Sequence, residues 1–151
     1  MDVKKVTEEL HKRFTYVTDK NQYGKREAWY IMKPDPLAKE FPVFKGDCED
    51  FSLTVLYQLC AGKWTKFWWH LFSYKAQIRY CYLHTPDRGH AVLQLGDVYL
   101  DNIFGTTTTK EAMEERGYVF KQPAFLWFLP TTVAIKLLLG KIWKTKSRFA
   151  E

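Results

Sequence analysis

Gly89-His90-Ala91-Val92-Leu93-Gln94-Leu95-Gly96-Asp97-Val98-Tyr99-Leu100-Asp101 holds two β-rich runs divided by a glycine–aspartate pair, and its reading decides the fold class. Taken as a two-residue turn, Gly96-Asp97 sets Leu95 opposite Val98, Gln94 opposite Tyr99, Leu93 opposite Leu100 and Val92 opposite Asp101. Strand side chains alternate between faces, so His90 leaves the same face as Val92 and therefore the same face as Asp101. The two become diagonal neighbours roughly 7 to 8 Å apart at the backbone, within reach of one imidazole bridging to one carboxylate. A preceding run, Gln77 to His84, is set off by Pro86-Asp87-Arg88-Gly89, and Val98 to Phe104 closes the series. The region reads as an antiparallel meander.

Upstream, Lys45-Gly46-Asp47-Cys48-Glu49-Asp50-Phe51-Ser52 reads as the start of a helix. Gly46 turns the chain, Asp47 is a good N-cap, and Asp50 stands three residues on, as in a capping box. Cys48 then occupies the first helical position. There the free backbone N–H groups and the helix dipole favour the thiolate, lowering its pKa from about 8.5. Asp47, Glu49 and Asp50 act in the opposite sense, because nearby negative charge disfavours a second anion. An imidazolium or a bound cation would relieve that conflict. Taken alone, the motif fits a buried structural cysteine equally well. The helix is expected from about Cys48 to Ala61, burying Phe51, Val55, Leu56 and Leu59 and ending at Gly62.

Cys48, His90 and Asp101 together form an ordered set for nucleophilic acyl transfer. His90 takes the thiol proton and later protonates the leaving amine, while Asp101 fixes the imidazole tautomer and steadies its charged form. His11, His70 and His84 have no acid placed by the same hairpin logic and read as surface or packing residues. Cys60 and Cys81 read as structural thiols.

The other segments frame this set. Val6, Leu10 and Phe14 stand at helical spacing within 4–16, an amphipathic helix. Residues 19–46 form a loop-like approach with Gly24, Pro34, Pro36 and Pro42, anchored by Tyr23, Trp29, Tyr30, Phe41 and Phe44. Trp64, Phe67, Trp68, Leu71 and Phe72 share a helical face in 64–75, with Lys63, Lys66 and Lys75 around it. That face either packs into the core or forms a rim that grips substrate or membrane. Thr106–Thr109 lead into a charged helix from Lys110 to Arg116, closed by Gly117. The apolar stretch from Phe125 to Leu139 is about 15 residues, short of the roughly 20 needed to span a bilayer, and is broken by Pro130 and Lys136. Past Pro130 a helix capped by Thr131 or Thr132 is expected to point Val133, Leu137, Leu138 and Ile142 inward. Lys136, Lys141, Lys144, Lys146 and Arg148 crowd its polar face, so it either packs or lies on anionic lipid.

At 151 residues, with 46% hydrophobic and 17% aromatic content, the chain can bury a real core as one domain, with a basic aromatic extension from about 123. Its formal charge of +6 favours an acidic partner, such as an anionic membrane surface; nucleic acid is not the expected one. Three cysteines without metal-type spacing exclude a disulfide framework and a structural zinc site. The first ten residues contain no apolar signal core, which implies a cytoplasmic start in this form.

Gly46-Asp47-Cys48-Glu49-Asp50-Phe51, then Gly89-His90-Ala91-Val92-Leu93, then Leu100-Asp101-Asn102 resemble the bacterial transglutaminase-like cysteine proteinases of the LapG-like group. The similarity covers roughly Trp29 to Asn102, with Trp29 and Pro34 resembling the approach to the cysteine loop. It implies an α+β fold with a papain-like or transglutaminase-like core, in which a nucleophile-bearing helix packs on an antiparallel sheet. It implies Cys48 as nucleophile, His90 as base and Asp101 as the third member. It also implies calcium beside the site through Asp47, Glu49 and Asp50, acids that serve equally well as helix caps. The activity expected is that of a cysteine endopeptidase acting on a protein or peptide through a thioester on Cys48. A transglutaminase or amidase using the same thioester is one alternative. A catalytically idle module that docks on membrane or protein is another. The exported adhesin substrate of the group is not expected here, and the basic segments 63–75 and beyond Pro123 have no counterpart in it.

Overall fold

Asp2 opens the first helix by accepting hydrogen bonds from the backbone N–H groups of Lys4 and Lys5. The computed structural model describes residues 2–16, 31–32, 44–83, 85–120 and 131–139. Its elements are α1 (Val3–Lys12), β1 (Phe14–Tyr16), β2 (Phe44–Gly46), α2 (Cys48–Leu59), α3 (Trp64–Phe72), β3 (Ala76–Leu83), β4 (Thr85–Leu95), β5 (Val98–Leu100), β6 (Thr107–Thr108), α4 (Lys110–Glu115) and β7 (Tyr118–Phe120). Residues 131–139 are also helical. The fold is α+β, built from helices, a five-stranded antiparallel sheet and a separate two-stranded parallel one. Among the described residues no helix is long and apolar enough to cross a membrane.

The first helix stops at Lys12, short of the 4–16 expected, because Phe14 is drawn into a parallel ladder opposite Phe44. Its ring meets Phe51 edge-on at 5.0 Å, so tertiary pairing overrides the helical spacing of Val6, Leu10 and Phe14. Gly46 ends β2 rather than making a left-handed turn. It is needed for close approach: a Cβ there would lie 2.7 Å from Met32 Sδ and 2.8 Å from Asp50 Cβ. That contact lets β2 lie directly against the first turn of α2.

Asp47 and Asp50 close the capping box, Asp50 N–H to Asp47 Oδ1 at 3.1 Å and Asp47 N–H to Asp50 Oδ2 at 3.3 Å. The helix they start is buried nearly all round, packing against α1, α3, β2, β3 and β4. Leu53, Ser52 and Thr54 are therefore as buried as the expected stripe of Phe51, Val55 and Leu56. The two hydroxyls are satisfied: Ser52 donates to the Cys48 carbonyl and Thr54 accepts from the Met32 N–H. The helix ends at Leu59, and the left-handed backbone of Ala61 and Gly62 carries the chain into α3.

The main sheet has the order β6-β5-β4-β3-β7, the meander with β7 added beyond β3. Pro86 to Arg88, expected as a turn, lie within β4, opposite a break in the ladder where Tyr82 pairs with Gly89 and Leu83 with Thr85. A bulge of this kind tolerates a proline that lacks an N–H. The two faces of β4 feed two cores. Ala91 and Leu93, with Leu100, pack toward α2, while Val92 joins Cys81, Tyr99, Met113 and Tyr118.

In the 131–139 helix Val133 is buried and Leu137 partly so, as expected, but Leu138 is 58% exposed. Position 137 lies about 40° round the helix from Val133 and position 138 about 140°, which carries Leu138 off the packed face. The approach region 17–30 and 33–43, including Trp29 and Pro34, lies outside the described residues, as do His84, Phe125 to Pro130 and everything from 140 onward.

Candidate active site

Strand β4 pairs with β5 in the register read from the turn: Leu93 opposite Leu100, Gln94 opposite Tyr99, Leu95 opposite Val98. Gly96 takes a φ of 61°, the left-handed conformation that such a turn requires of its first central residue. Asp101, one residue past β5, consequently meets His90: Nε2 lies 2.8 Å from Asp101 Oδ2. Both side chains are buried, Asp101 completely. With Nε2 turned to the carboxylate, Nδ1 is the nitrogen left to exchange a proton with a thiol.

The carboxylate has further partners that sequence reading missed. The Tyr118 hydroxyl donates to Oδ2 at 2.5 Å, and the Phe104 backbone N–H donates to Oδ1 at 2.8 Å. Tyr118 also packs edge-on against His90, with ring centroids 5.7 Å apart. Burial, then the hydrogen bond and charge of Asp101, push the Tyr118 phenol well above its ordinary range, so it remains a donor. The local signal for Tyr118 was the alternation Tyr118-Val119-Phe120 after Gly117, which marks a strand but not its neighbour. The adjoining Asn102 carries a buried Oδ1, the one buried side-chain polar atom without a hydrogen-bond partner among the described residues.

Cys48 begins α2 as expected and is 8% exposed. Its thiol donates to Glu49 Oε2 at 3.1 Å. Among the described residues no hydrogen bond joins it to His90. The sulfur instead meets β4 one residue further on, at the Ala91 backbone N–H, which favours the thiolate. The electrostatic conflict read in the sequence is resolved upward. Burial pushes the Cys48 thiol well above its usual pKa, and the charges of Glu49 and Asp47 and the bond to Glu49 add to this, outweighing Ala91. Glu49, half-buried, is itself pushed up to about 7 by burial and by Asp47.

Cys60 and Cys81 are buried in the packing. Cys60 Sγ lies 3.7 Å from His70 Nδ1, but that nitrogen is 2.7 Å from the Lys66 carbonyl, an acceptor, and so carries the proton. It is not placed to act as a base on Cys60. Cys81 sits opposite His90 in the ladder, within the second core.

Asp47, Glu49 and Asp50 offer the oxygen donors that calcium takes. Their carboxylates are engaged in the capping box and with the thiol, and among the described residues no three His, Cys, Asp or Glu side chains are grouped to hold a metal ion. The chemistry below is drawn from side chains alone.

Glu49 makes a separable prediction. Its pKa rises from 4.5 to about 7 in the fold, so the native state keeps a proton over a window in which the unfolded chain has released it. The contribution of Glu49 to stability therefore falls as pH climbs from about 4.5 to about 7 and is constant above that. Glu49→Gln is expected to flatten the profile and to be about 1–2 kcal/mol more stable than wild type at pH 8, solvent screening having reduced the full shift. Removing its charge also lowers the Cys48 pKa, so alkylation of Cys48 by iodoacetamide at pH 8 should speed up about three- to tenfold. Urea titrations at pH 4.5 and 8, with peptide mapping of the alkylated thiol, measure both effects.

No protein-family model matches the chain, and no curated protein matches it.

Proposed function

We propose that the chain is a cysteine endopeptidase with a transglutaminase-like, papain-like core. The observation that carries this reading is the buried His90–Asp101 pair on the strand whose next residue abuts Cys48. In the proposed reaction Cys48 Sγ attacks the scissile carbonyl carbon while its proton passes to His90 Nδ1. The Cys48 backbone N–H faces the developing oxyanion. The C–N bond then breaks as His90 returns the proton to the leaving amine, and a thioester remains on Cys48. Water adds to the thioester with His90 as base; the C–S bond breaks, releasing the acid, and the proton returns to the sulfur. Because the resting nucleophile is a thiol rather than a thiolate, attack and proton transfer are coupled. An amine in place of water turns the same intermediate to transfer.

A catalytically idle site is the second reading. It is favoured by the raised thiol pKa and by the thiol's bond to Glu49 in place of His90. Incubating the protein with an unstructured, glutamine-bearing polypeptide and a labelled primary amine separates the readings. Fragments identified by mass spectrometry are the expected result. Label on glutamine without cleavage would assign a transferase, and neither product from pH 6 to 9 would leave the idle reading.

A further inference from the structure

The helix α3 is divided into three sectors. At about 100° per residue, Phe67 and Leu71 face one way, Trp64, Trp68, Phe72 and Trp69 sweep the next arc of about 140°, and Lys66, His70 and the preceding Lys63 occupy the remainder. Phe67 and Leu71 are fully buried, which anchors the helix. Within the arc Trp68 is partly buried against the core, but Trp64 is 47%, Trp69 53% and Phe72 60% exposed. Rings of this size leave water readily, and so large an apolar outward face is not needed to hold the fold.

The rings also lie in a basic setting. Lys75 Nζ sits 4.2 Å over the Trp69 ring, Lys63 and Lys66 border the arc, and the chain carries a formal charge of +6. Indole rings bordered by lysines suit the boundary between acyl chains and anionic headgroups, where the ring is desolvated and the ammonium stays with the phosphates. A second copy fits less well, since a two-fold pairing of this face would bring its lysines against one another. Single-stranded nucleic acid asks for rings splayed to receive bases, whereas Trp64 and Trp68 stack on each other, 6.5 Å apart and 22° from parallel.

We propose that the outward face of α3 docks on an anionic bilayer, with Trp69 and Phe72 entering the interface and Lys63, Lys66 and Lys75 meeting the headgroups. This is independent of whether Cys48 is catalytic. The test is cosedimentation of the full chain with phosphatidylcholine vesicles containing 0 or about 30% phosphatidylserine, at low and high salt. Wild type should bind the anionic vesicles and lose most of that binding in high salt. Trp69→Ser with Phe72→Ser should weaken partitioning at least tenfold, and Lys63→Glu with Lys66→Glu several-fold, without change in the circular dichroism spectrum. Both pairs are at exposed or bordering positions, so the fold should persist. No binding by wild type, or equal binding by the Trp69/Phe72 variant through the basic C-terminal segment, overturns the proposal. So does a wild-type dimer in sedimentation, or retention of a single-stranded oligonucleotide, that the Trp69/Phe72 variant abolishes.

Discussion

Cys48→Ala is expected to abolish turnover, a loss on the order of 10⁴-fold or more, while Cys60→Ala and Cys81→Ala remain active. The reason is stoichiometric: the thioester needs one sulfur, and Cys48 is the cysteine at a helix start that meets β4 beside His90, whereas Cys81, opposite His90 in the ladder, is fully buried in the second core with its thiol toward the His90 backbone carbonyl. Ser52, the nearest hydroxyl in sequence, is buried and donates to the Cys48 carbonyl one turn back, so it does not substitute. Cys60 has a histidine neighbour, but the proton on that nitrogen points at Lys66. Wild-type labelling by a thiol probe should be slow at pH 7 and accelerate toward pH 9, since burial and Glu49 hold Cys48 in its neutral form. Peptide mapping of the labelled protein identifies the thiol, and progress curves on a cleaved polypeptide measure the turnover. Full activity in Cys48→Ala would remove the nucleophile from the proposal. Inactivity of the wild type on every substrate, with Cys48 still labelled, would instead remove the reaction.

What was legible in the sequence was local. A two-residue turn fixes strand register by geometry, so the approach of His90 to Asp101 follows from the sequence alone. The capping box is likewise a four-residue affair, and Asp47 and Asp50 close it as their spacing implies. Long-range partners were not legible. Phe14 joins a strand thirty residues away, and Tyr118 arrives from β7, at the far side of β3 from β4. Nothing in the periodicity around either residue marks its partner. The sign of the Cys48 shift was illegible for a related reason. Helix dipole and neighbouring acids can be counted along the chain, but burial, which decides the balance, is a property of everything packed around α2. Gly46 shows the same division: its type is plain, but the contact with Met32 and Asp50 that requires it is not.

Asp101→Ala is expected to cost about 3–5 kcal/mol of stability, more than a cavity of its size would, together with the activity. One fully buried carboxylate receives the Tyr118 hydroxyl, the His90 ring and the Phe104 N–H, and alanine leaves all three donors facing apolar surroundings. Because Gly105 N–H bonds to the Asp101 carbonyl as well, the loop after β5 is tied at both backbone and side chain. Asp101→Asn separates the structural part from the catalytic part. The amide matches the carboxylate in shape and can still accept from Phe104, but its NH₂ would confront the Tyr118 hydroxyl and any proton on His90 Nε2. The imidazole then keeps its proton on Nδ1, the nitrogen needed to take the thiol proton. Asn should therefore be about 1–3 kcal/mol less stable than wild type, yet lose about 10³- to 10⁴-fold in kcat. Tyr118→Phe, which removes one donor and leaves the tautomer alone, should cost only about 1 kcal/mol and little activity. Urea denaturation ranks the three variants, and ¹⁵N shifts of the His90 ring report which nitrogen is protonated. A tautomer unchanged in Asp101→Asn, with activity nonetheless lost, would mean that Asp101 acts by holding the loop in place and not by orienting His90.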